Sequence, residues 1–405
     1  MRIRSNVRAR LCGVAVLMAV IAACGGGGGD VAMEPPAPAP ASDRGWSKPF
    51  GAASIVLGQS GFDGIDSPGG PATPLRAPNG SPALTADGRL FVAAGGDVYV
   101  FRRYDAQNGP SADFMLSIPS PSFDVSVQNG KLVVVDQVNV LIYDPVPTAD
   151  TTPYATAGEG AACDDSSLFG PNSAYLTPNG WLFVSDSGNN RVLIWDQLPV
   201  DRGPVGPAKF VLGQQDMIHC AKNDDDGDGN RDDKPSQRTL SDPSAVWSDG
   251  TRLVVADRGN HRVLIWSNIT AVVSGQAADF VVGQQSFELF DANGGDFDSP
   301  TAATLSKPIS VDVSAAGELA VTDQGNNRVL IWSELPAANG LPARYVVGQS
   351  DFTHRAPNDV DQTGRAGSSP GAKTLNSPRG ARFHGRDLIV NDQGNDRVLV
   401  WREAD

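Results

Sequence analysis

Residues 319–332 read LAVTDQGNNRVLIW, and the chain contains several copies of this stretch. Near-identical copies occupy residues 182–195 (LFVSDSGNNRVLIW), 253–266 (LVVADRGNHRVLIW) and 388–401 (LIVNDQGNDRVLVW). Regular self-similarity along a chain is the sequence signature of a repeat architecture. The sequence therefore predicts a protein built from copies of one structural unit.

Each copy has the pattern of a β-hairpin, in which two apolar runs flank a Gly-Asn turn. Two weaker copies, LFVAAGGDVYVF at 90–101 and LVVVDQVNVLIY at 132–143, bring the total to six. A proline and a short alternating segment precede most copies, as at 308–313, and a strand ending in Gly-Gln follows three of them, as at 345–349. Four strands per repeat make one propeller blade. We therefore expect an all-β, six-bladed β-propeller of four-stranded antiparallel blades.

The two ends of the repeat region complement each other. The last copy ends near Trp401 without a fourth strand, whereas residues 55–59 (IVLGQ) have the form of an isolated fourth strand. We expect this N-terminal strand to complete the last blade, because a closed ring leaves no sheet edge exposed.

The D-x-G-N-x-R-V core of the four strong copies resembles the NHL-repeat family of β-propellers, over residues 54–405. The first two copies depart from the pattern: Ala94 replaces the turn aspartate in the first, and the second lacks the arginine. The resemblance implies a propeller fold. Some NHL-like propellers are lyases that hold zinc with histidines around the central channel, and some related six-bladed propellers are calcium-dependent lactonases.

The N-terminal region has the pattern of a targeting segment. Residues 1–23 combine four arginines with an apolar stretch too short for a good membrane span, and they end in Ala-Ala before Cys24. This resembles a bacterial lipobox, which implies lipidation of Cys24 with diacylglycerol and palmitate; ordinary cleavage beside an incidental cysteine is the alternative. Residues 24–53 then read as a Gly-, Pro- and Ala-rich tether ahead of the propeller at 54–405. We expect an exported lipoprotein anchored in the cell envelope, at the outer membrane.

The charge balance restricts the partners. The chain of 405 residues has a formal net charge of −14, and removal of the four N-terminal arginines makes it −18. Such a charge disfavours nucleic acid and anionic lipid surfaces as partners.

The repeated turn carries an aspartate and, five residues later, an arginine. A structural interpretation has the Asp cap the turn and the Arg bridge to a neighbour, and a functional one has the arginines form a basic ring around an anion. We favour the structural interpretation because a repeated residue serves what every blade shares. The pairs are Asp186 and Arg191, Asp257 and Arg262, Asp323 and Arg328, and Asp392 and Arg397.

One acidic segment resembles the start of a calcium loop. Asp224, Asp226 and Asp228 alternate in a D-x-D-x-D-G pattern, and Asp232 falls at its ninth position. Hard oxygen ligands at this spacing are what Ca²⁺ requires. However, Pro235 stands where the bidentate Glu belongs, so a solvated acidic loop is the alternative.

Two cysteines of the exported part, Cys163 and Cys220, each follow the fourth strand of a repeat in adjacent blades. An exported protein meets an oxidising compartment, so we expect a disulfide between them; two buried free thiols are the alternative.

The long connections that follow each Gly-Gln all belong to one face of the ring, which also carries the Gly-Asn turns. Binding sites are commonly formed by loops on a rigid scaffold. The channel-facing first strands offer no histidine cluster and no convergent carboxylates. The connections are residues 60–77, 215–242, 285–307 and 350–377, and the channel-facing residues are Ser81, Asp124, Ser173, Ser244, Ser310 and Arg379 or their neighbours.

These features support a non-catalytic binding scaffold for an envelope protein or a glycan. The alternative is a metal-dependent hydrolase or lyase with its site at the channel mouth, which rests on family analogy.

Overall fold

The computed structural model describes residues 45–48, 51–64, 75–105, 111–158, 160, 162–198 and 202–402. Within them, six small antiparallel sheets ring a central axis, which confirms the six-bladed β-propeller. The first strand of each blade contacts the first strands of both neighbouring blades, including that of blade 1 with that of blade 6. The predicted signal peptide, Cys24 and most of the predicted tether lie outside the described residues. No helix in the described part is long and apolar enough to cross a membrane.

Blades 1 and 2 are formed by the weaker repeats. Blade 2 also gains a short fifth strand, Gly203–Pro204, which runs parallel to Ala155–Ala157. A two-residue strand has no periodicity, so the sequence pattern does not predict it. Blade 1 consists of Asn79–Leu84, Leu90–Ala94, Asp97–Phe101 and Phe114–Leu116, and blade 2 of Ser122–Gln128, Lys131–Asp136, Val140–Tyr143 and Ala155–Ala157.

Blades 3 to 6 contain the strong repeats, whose second and third strands pair in the same register. Blade 3 consists of Pro171–Leu176, Leu182–Asp186, Arg191–Trp195 and Phe210–Leu212, and blade 4 of Pro243–Ser248, Leu253–Asp257, Arg262–Trp266 and Phe280–Val282. Blade 5 consists of Pro308–Val313, Leu319–Asp323, Arg328–Trp332 and Tyr345–Val347, and blade 6 of Pro378–His384, Asp387–Asp392, Arg397–Trp401 and Ile55–Leu57.

The core lies between neighbouring blades. Every residue of Leu319–Asp323 and Arg328–Trp332 is buried, because each blade is covered on both faces by its neighbours. Strands covered on both faces show near-continuous apolar runs instead of alternation, which explains sequences such as RVLIW. One such inter-blade cluster joins Val263 of blade 4 to Val311 and Trp332 of blade 5.

Blade 6 is assembled from both ends of the described chain. Val56 pairs antiparallel with Leu399, and Trp401 Nε1 donates a hydrogen bond to Gly51 O at 2.9 Å. Trp46 is buried in the same cluster as Trp401 and packs edge-on to Tyr345. Packed structure therefore begins ahead of residue 54, inside the segment predicted to be tether.

The turn between the second and third strands of blades 3 to 6 is a single 3₁₀ turn closed by a residue in the left-handed region. In blade 5, Gln324–Asn326 forms the turn and Asn327 follows with φ 52° and ψ 46°. Gly325 is required for space, because a Cβ there would lie 2.6 Å from Ser306 O. Its N–H donates to that same carbonyl at 2.8 Å, which ties the turn to the end of the preceding connection.

Candidate functional site

Each strong repeat brings its turn Asp and Arg together as a buried ion pair. In blade 5, Arg328 Nε lies 2.8 Å from Asp323 Oδ2, and neither side chain is exposed. Asp323 Oδ1 accepts the Ser306 N–H at 2.7 Å, and Asn326 Nδ2 donates to Oδ2 at 2.7 Å. The same contact, at 2.7 Å, joins Arg191 to Asp186, Arg262 to Asp257 and Arg397 to Asp392.

The rest of each guanidinium binds the two connections that flank its blade. We call these connections, including the one before blade 3, inserts. Arg328 Nη1 donates to Phe352 O at 2.6 Å, in the insert that follows blade 5. Its Nη2 donates to Thr301 O and Thr304 O at 2.9 and 3.0 Å, in the insert that precedes the blade. We call the Asp–Arg pair with these carbonyl groups a turn clamp, because it holds the ends of two inserts to one blade.

The left-handed residue of each turn joins its blade to the next one. His261 Nδ1 accepts the Lys307 N–H at 2.9 Å, so this ring nitrogen is unprotonated. Burial, followed by the nearby Lys307 charge, lowers the pKa of His261 to about 4. The equivalent acceptors are Asn190 for Asp242 N, Asn327 for Ser377 N and Asp396 for Ala77 N.

A disulfide joins Cys163 to Cys220, which confirms that prediction. It links the connection before blade 3 to the insert after it. Arg191 bridges the same two segments through hydrogen bonds to Asp164 O at 2.7 Å and Met217 O at 2.8 Å. Both a covalent bond and a turn clamp therefore hold this part of the insert-bearing face.

The acidic loop brings three of its four candidate ligands together. One carboxylate oxygen each of Asp224, Asp226 and Asp232 lies within 4.8 Å of the others, whereas Asp228 is not in this group. Asp228 Oδ1 instead accepts the Asn230 N–H at 2.7 Å. A three-carboxylate group fits a hard cation such as Ca²⁺. Calcium binding there stays a prediction.

A second insert has the same loop without the full acidic set. Gly364 N donates to Asp359 Oδ2 at 2.8 Å, as Gly229 N donates to Asp224 Oδ2 at 3.0 Å. These backbone contacts therefore form in both inserts, although the second contains fewer carboxylates.

The polar residues expected on the first strands meet inside the ring. Ser81 Oγ of blade 1 lies 2.7 Å from Ser310 Oγ of blade 5, so the two hydroxyls meet across the channel. Asp124 Oδ1 accepts the Ser81 N–H at 2.7 Å, and the Ser173 side chain also hydrogen-bonds this carboxyl. Burial raises the pKa of Asp124 to about 6, and these hydrogen bonds oppose the rise.

A second channel layer contains a charged pair that sequence reasoning missed. Arg382 Nη1 of blade 6 donates to Asp312 Oδ1 of blade 5 at 2.9 Å, and its Nε donates to Pro82 O of blade 1 at 3.1 Å. The guanidinium also lies 5.5 Å from the centre of the Tyr175 ring. Burial raises the pKa of Asp312, and Arg382 opposes this. The sequence does contain one indication of this cluster: Tyr175, Asp312 and Arg382 are each the fifth residue of a first strand.

The four histidines do not converge on one site. His219 Nδ1 lies 2.7 Å from Asp216 Oδ1 and His354 Nδ1 lies 2.8 Å from Asp351 Oδ1, each within its own insert. His261 contacts blade 5, and His384 lies at the opposite end of the channel.

The exposed apolar side chains concentrate on the insert-bearing face. Within the described residues, nine large apolar side chains are exposed, and six of them belong to inserts or turns of this face. Ile218 is the most exposed, at 70%. The six are Val138, Phe169, Ile218, Leu289, Phe297 and Val360, and the other three are Met115, Val273 and Leu341.

No protein-family model matches the chain, and no curated protein matches its sequence. Among solved structures, it is similar to an auxiliary nutrient binding protein from Bacteroides thetaiotaomicron at 13% identity and a TM-score of 0.47, over 82% of this chain and 70% of that one. It is similar to a streptogramin B lyase at 12% identity and a TM-score of 0.44, over 81% of this chain and 93% of that one. It is also similar to a chain of a mitotic checkpoint complex at 13% identity and a TM-score of 0.48, over 93% of this chain and 98% of that one. At such low similarity these structures give no information on ligand or activity.

Proposed function

We propose that the protein is a lipid-anchored lipoprotein of the NHL-repeat type that acts as a non-catalytic binding scaffold in the bacterial cell envelope. The observation that carries the proposal is the set of six exposed apolar side chains on the insert-bearing face. Exposed apolar residues gathered on one face of a rigid domain are typical of an interaction surface. The turn clamps support this role, because they hold the inserts in place on the ring.

The proposed partner is an envelope protein or a glycan that approaches this face. The three long inserts at 215–242, 285–307 and 350–377 contain fifteen acidic and eight basic residues. Their net charge of −7 disfavours nucleic acid and anionic lipid on this face. A partner with apolar contacts and positive or neutral charge fits the combination of acidic and exposed apolar side chains.

The proposed anchor is the lipidated Cys24, followed by the tether. A lipid anchor leaves the rest of the chain on one side of the membrane, so the propeller can face a partner there. Metabolic labelling with radioactive palmitate tests this step. Label is expected in the wild-type chain and absent from Cys24→Ser, and label that persists in Cys24→Ser contradicts it.

Cross-linking of whole envelopes, followed by purification of the protein, tests partner binding. The variants Ile218→Ser and Phe169→Ser are expected to lose most of the cross-linked partner. The matched controls Val273→Ser and Leu341→Ser remove exposed apolar side chains away from the insert-bearing face and are expected to retain it. Equal recovery from both pairs of variants overturns the proposal.

A metal-dependent hydrolase or lyase is the second candidate, and Asp124 is the observation that favours it. A carboxyl group with a pKa of about 6 is suited to proton transfer near neutral pH. Metal analysis of the purified protein and of Asp124→Asn and Asp226→Asn separates the candidates. Metal lost only from Asp124→Asn favours the enzyme, whereas metal lost only from Asp226→Asn assigns it to the acidic loop.

A further inference from the structure

The channel mouth on the insert-bearing face is lined by one polar residue from each clamped turn. This residue follows the turn Asp and reaches the start of a first strand. Gln324 Nε2 donates to Ser377 Oγ at 3.2 Å, and Arg258 Nη1 donates to Asp242 Oδ2 at 2.6 Å. The four turn residues are Ser187, Arg258, Gln324 and Gln393.

Arg379 opens the first strand of blade 6 at this mouth and has few protein partners. Its Nε donates to Gln393 Oε1 at 2.9 Å, and the described residues provide no carboxylate for it. A guanidinium has five N–H donors, so four of them have no acceptor in the described part of the chain. The clamp arginines differ, since each binds one carboxylate and three carbonyl groups.

Arg258 adds a second incompletely paired guanidinium. It reaches Asp242, but its buried Nε–H donates to no acceptor within the described residues. Burial, and after it the charge of Arg258, lowers the pKa of Arg379. Arg258 and Arg379 belong to blades 4 and 6, which are two blades apart, as are blades 1 and 5, whose Ser81 and Ser310 hydroxyls meet across the channel at 2.7 Å. The channel is therefore narrow enough for these two long side chains to approach each other at its mouth. Within the described residues, the one ion pair formed by either guanidinium group is that of Arg258 with Asp242.

We propose that this mouth binds a small oxyanion, a carboxylate or a phosphate group, between Arg379 and Arg258. Arg379 can bind two oxygens of such a group at once, because its free donors form a planar fork. Arg258 Nε supplies a further buried donor. The acidic inserts around the mouth repel large polyanions, so the site selects a single small anionic group. The proposed site uses none of the six exposed apolar side chains, and its test needs no partner.

Titration of the purified protein with sodium phosphate and with sodium succinate tests the site, with heat of binding and melting temperature as readouts. At least one anion is expected to bind and to raise the melting temperature, and the tighter of the two identifies the ligand class. Arg379→Gln is expected to weaken binding roughly tenfold or more, since it removes charged hydrogen bonds. Arg344→Gln is the matched control, because Arg344 lies beside the Tyr345 ring at the start of a fourth strand, away from the mouth.

Arg379→Gln is also expected to fold normally and to melt no lower than the wild type without anion, because it relieves repulsion with Arg258. The proposal is overturned if neither anion shows binding at concentrations up to about 50 mM, because a dissociation constant above that value is too weak for a specific site. It is equally overturned if the Arg379→Gln and Arg344→Gln variants bind the anion alike.

Discussion

Blades 3 to 6 and blades 1 and 2 share one strand plan but differ in their second-to-third-strand turns. Blades 3 to 6 carry a turn clamp. In blade 2, Asp136 Oδ1 accepts the N–H groups of Val138 and Asn139 at 2.8 and 2.7 Å, while its buried Oδ2 has no partner in the described structure. Blade 1 replaces the motif with a tight turn in which Gly95 and Gly96 have positive φ.

Turn clamps occur in the blades whose flanking connections on the insert-bearing face are both long. Arg262 holds Thr239 O at the end of the insert before blade 4 and Phe287 O in the insert after it. The connection between blades 1 and 2 is short, running from residue 117 to 121, and needs no such anchor. The Asp–Arg motif is therefore dispensable for a blade but accompanies long loops on one face. In this protein, the repeat motif serves to fix the loops as well as to close the hairpin.

The largest loss of stability is expected when one turn clamp is removed. Arg262→Leu leaves Asp257 buried without its cation and frees three insert carbonyl groups. Loss of one partner of a buried pair typically costs about 3–5 kcal/mol. We expect this loss in urea unfolding followed by tryptophan fluorescence, together with faster proteolysis within 215–242 and 285–307.

Asp136→Asn in blade 2 is the matched control. Asp136 has no arginine partner within the described residues, and the amide oxygen of asparagine can still accept the Val138 and Asn139 N–H groups. We expect a change within about 1 kcal/mol. A small effect of Arg262→Leu, or an equally large one of Asp136→Asn, would contradict the idea that clamps distinguish the two kinds of blade.

The disulfide allows the clamp of blade 3 to be compared with a covalent link across the same two segments. Cys163→Ser with Cys220→Ser is expected to cost about 2–4 kcal/mol, because the bridge closes a loop of 57 residues. Proteolysis should increase within 215–242 but not within 350–377, which the bridge does not touch. Unchanged cleavage in 215–242 would mean that Arg191 alone fixes this insert.

The sequence predicted the parts that repetition encodes. The blade number, the hairpins and the Cys163–Cys220 disulfide follow from spacing along the chain. The Arg382–Asp312 pair was missed although both residues occupy equivalent places in their first strands, because the repeats carry different residue types at that place. The two side chains meet only when the six first strands converge. Trp46 was likewise missed, because a single aromatic residue in a Pro- and Ala-rich segment has no periodicity to mark it.

A smaller effect is expected from pH, and it concerns His261, the acceptor through which the clamped turn of blade 4 joins blade 5. The pKa of His261 is about 4 in the folded protein against about 6.5 in an unfolded chain. The unfolded state therefore binds the extra proton first, and the stability from neutral His261 is lost as the pH falls from 6.5 towards 4. We expect a loss of about 1–2 kcal/mol between pH 7.5 and 5, after allowance for partial exposure.

His261→Asn separates this effect from other titrations, because asparagine is the natural residue at Asn190 and Asn327. This variant should keep the hydrogen bond from Lys307 N and fold normally at pH 7.5. The difference in stability between the variant and the wild type should grow in the variant's favour as the pH falls. A constant difference across this range would rule out His261 as the titrating group.

The smallest expected effect compares the two acidic loops, in the inserts before blades 4 and 6. If the Asp224 loop binds calcium, 1 mM calcium chloride should raise the melting temperature, with about 1.4 kcal/mol of added stability at ten times the dissociation constant. Asp226→Asn should abolish the shift, because it removes one of the three grouped carboxylates. Asp361→Asn, in the second loop, should leave it intact.

Since the backbone contacts of Asp224 and Asp359 are alike, a difference between these variants would come from the added carboxylates and not from the loop conformation. An equal calcium response in both variants would instead make the acidic set a solvated surface.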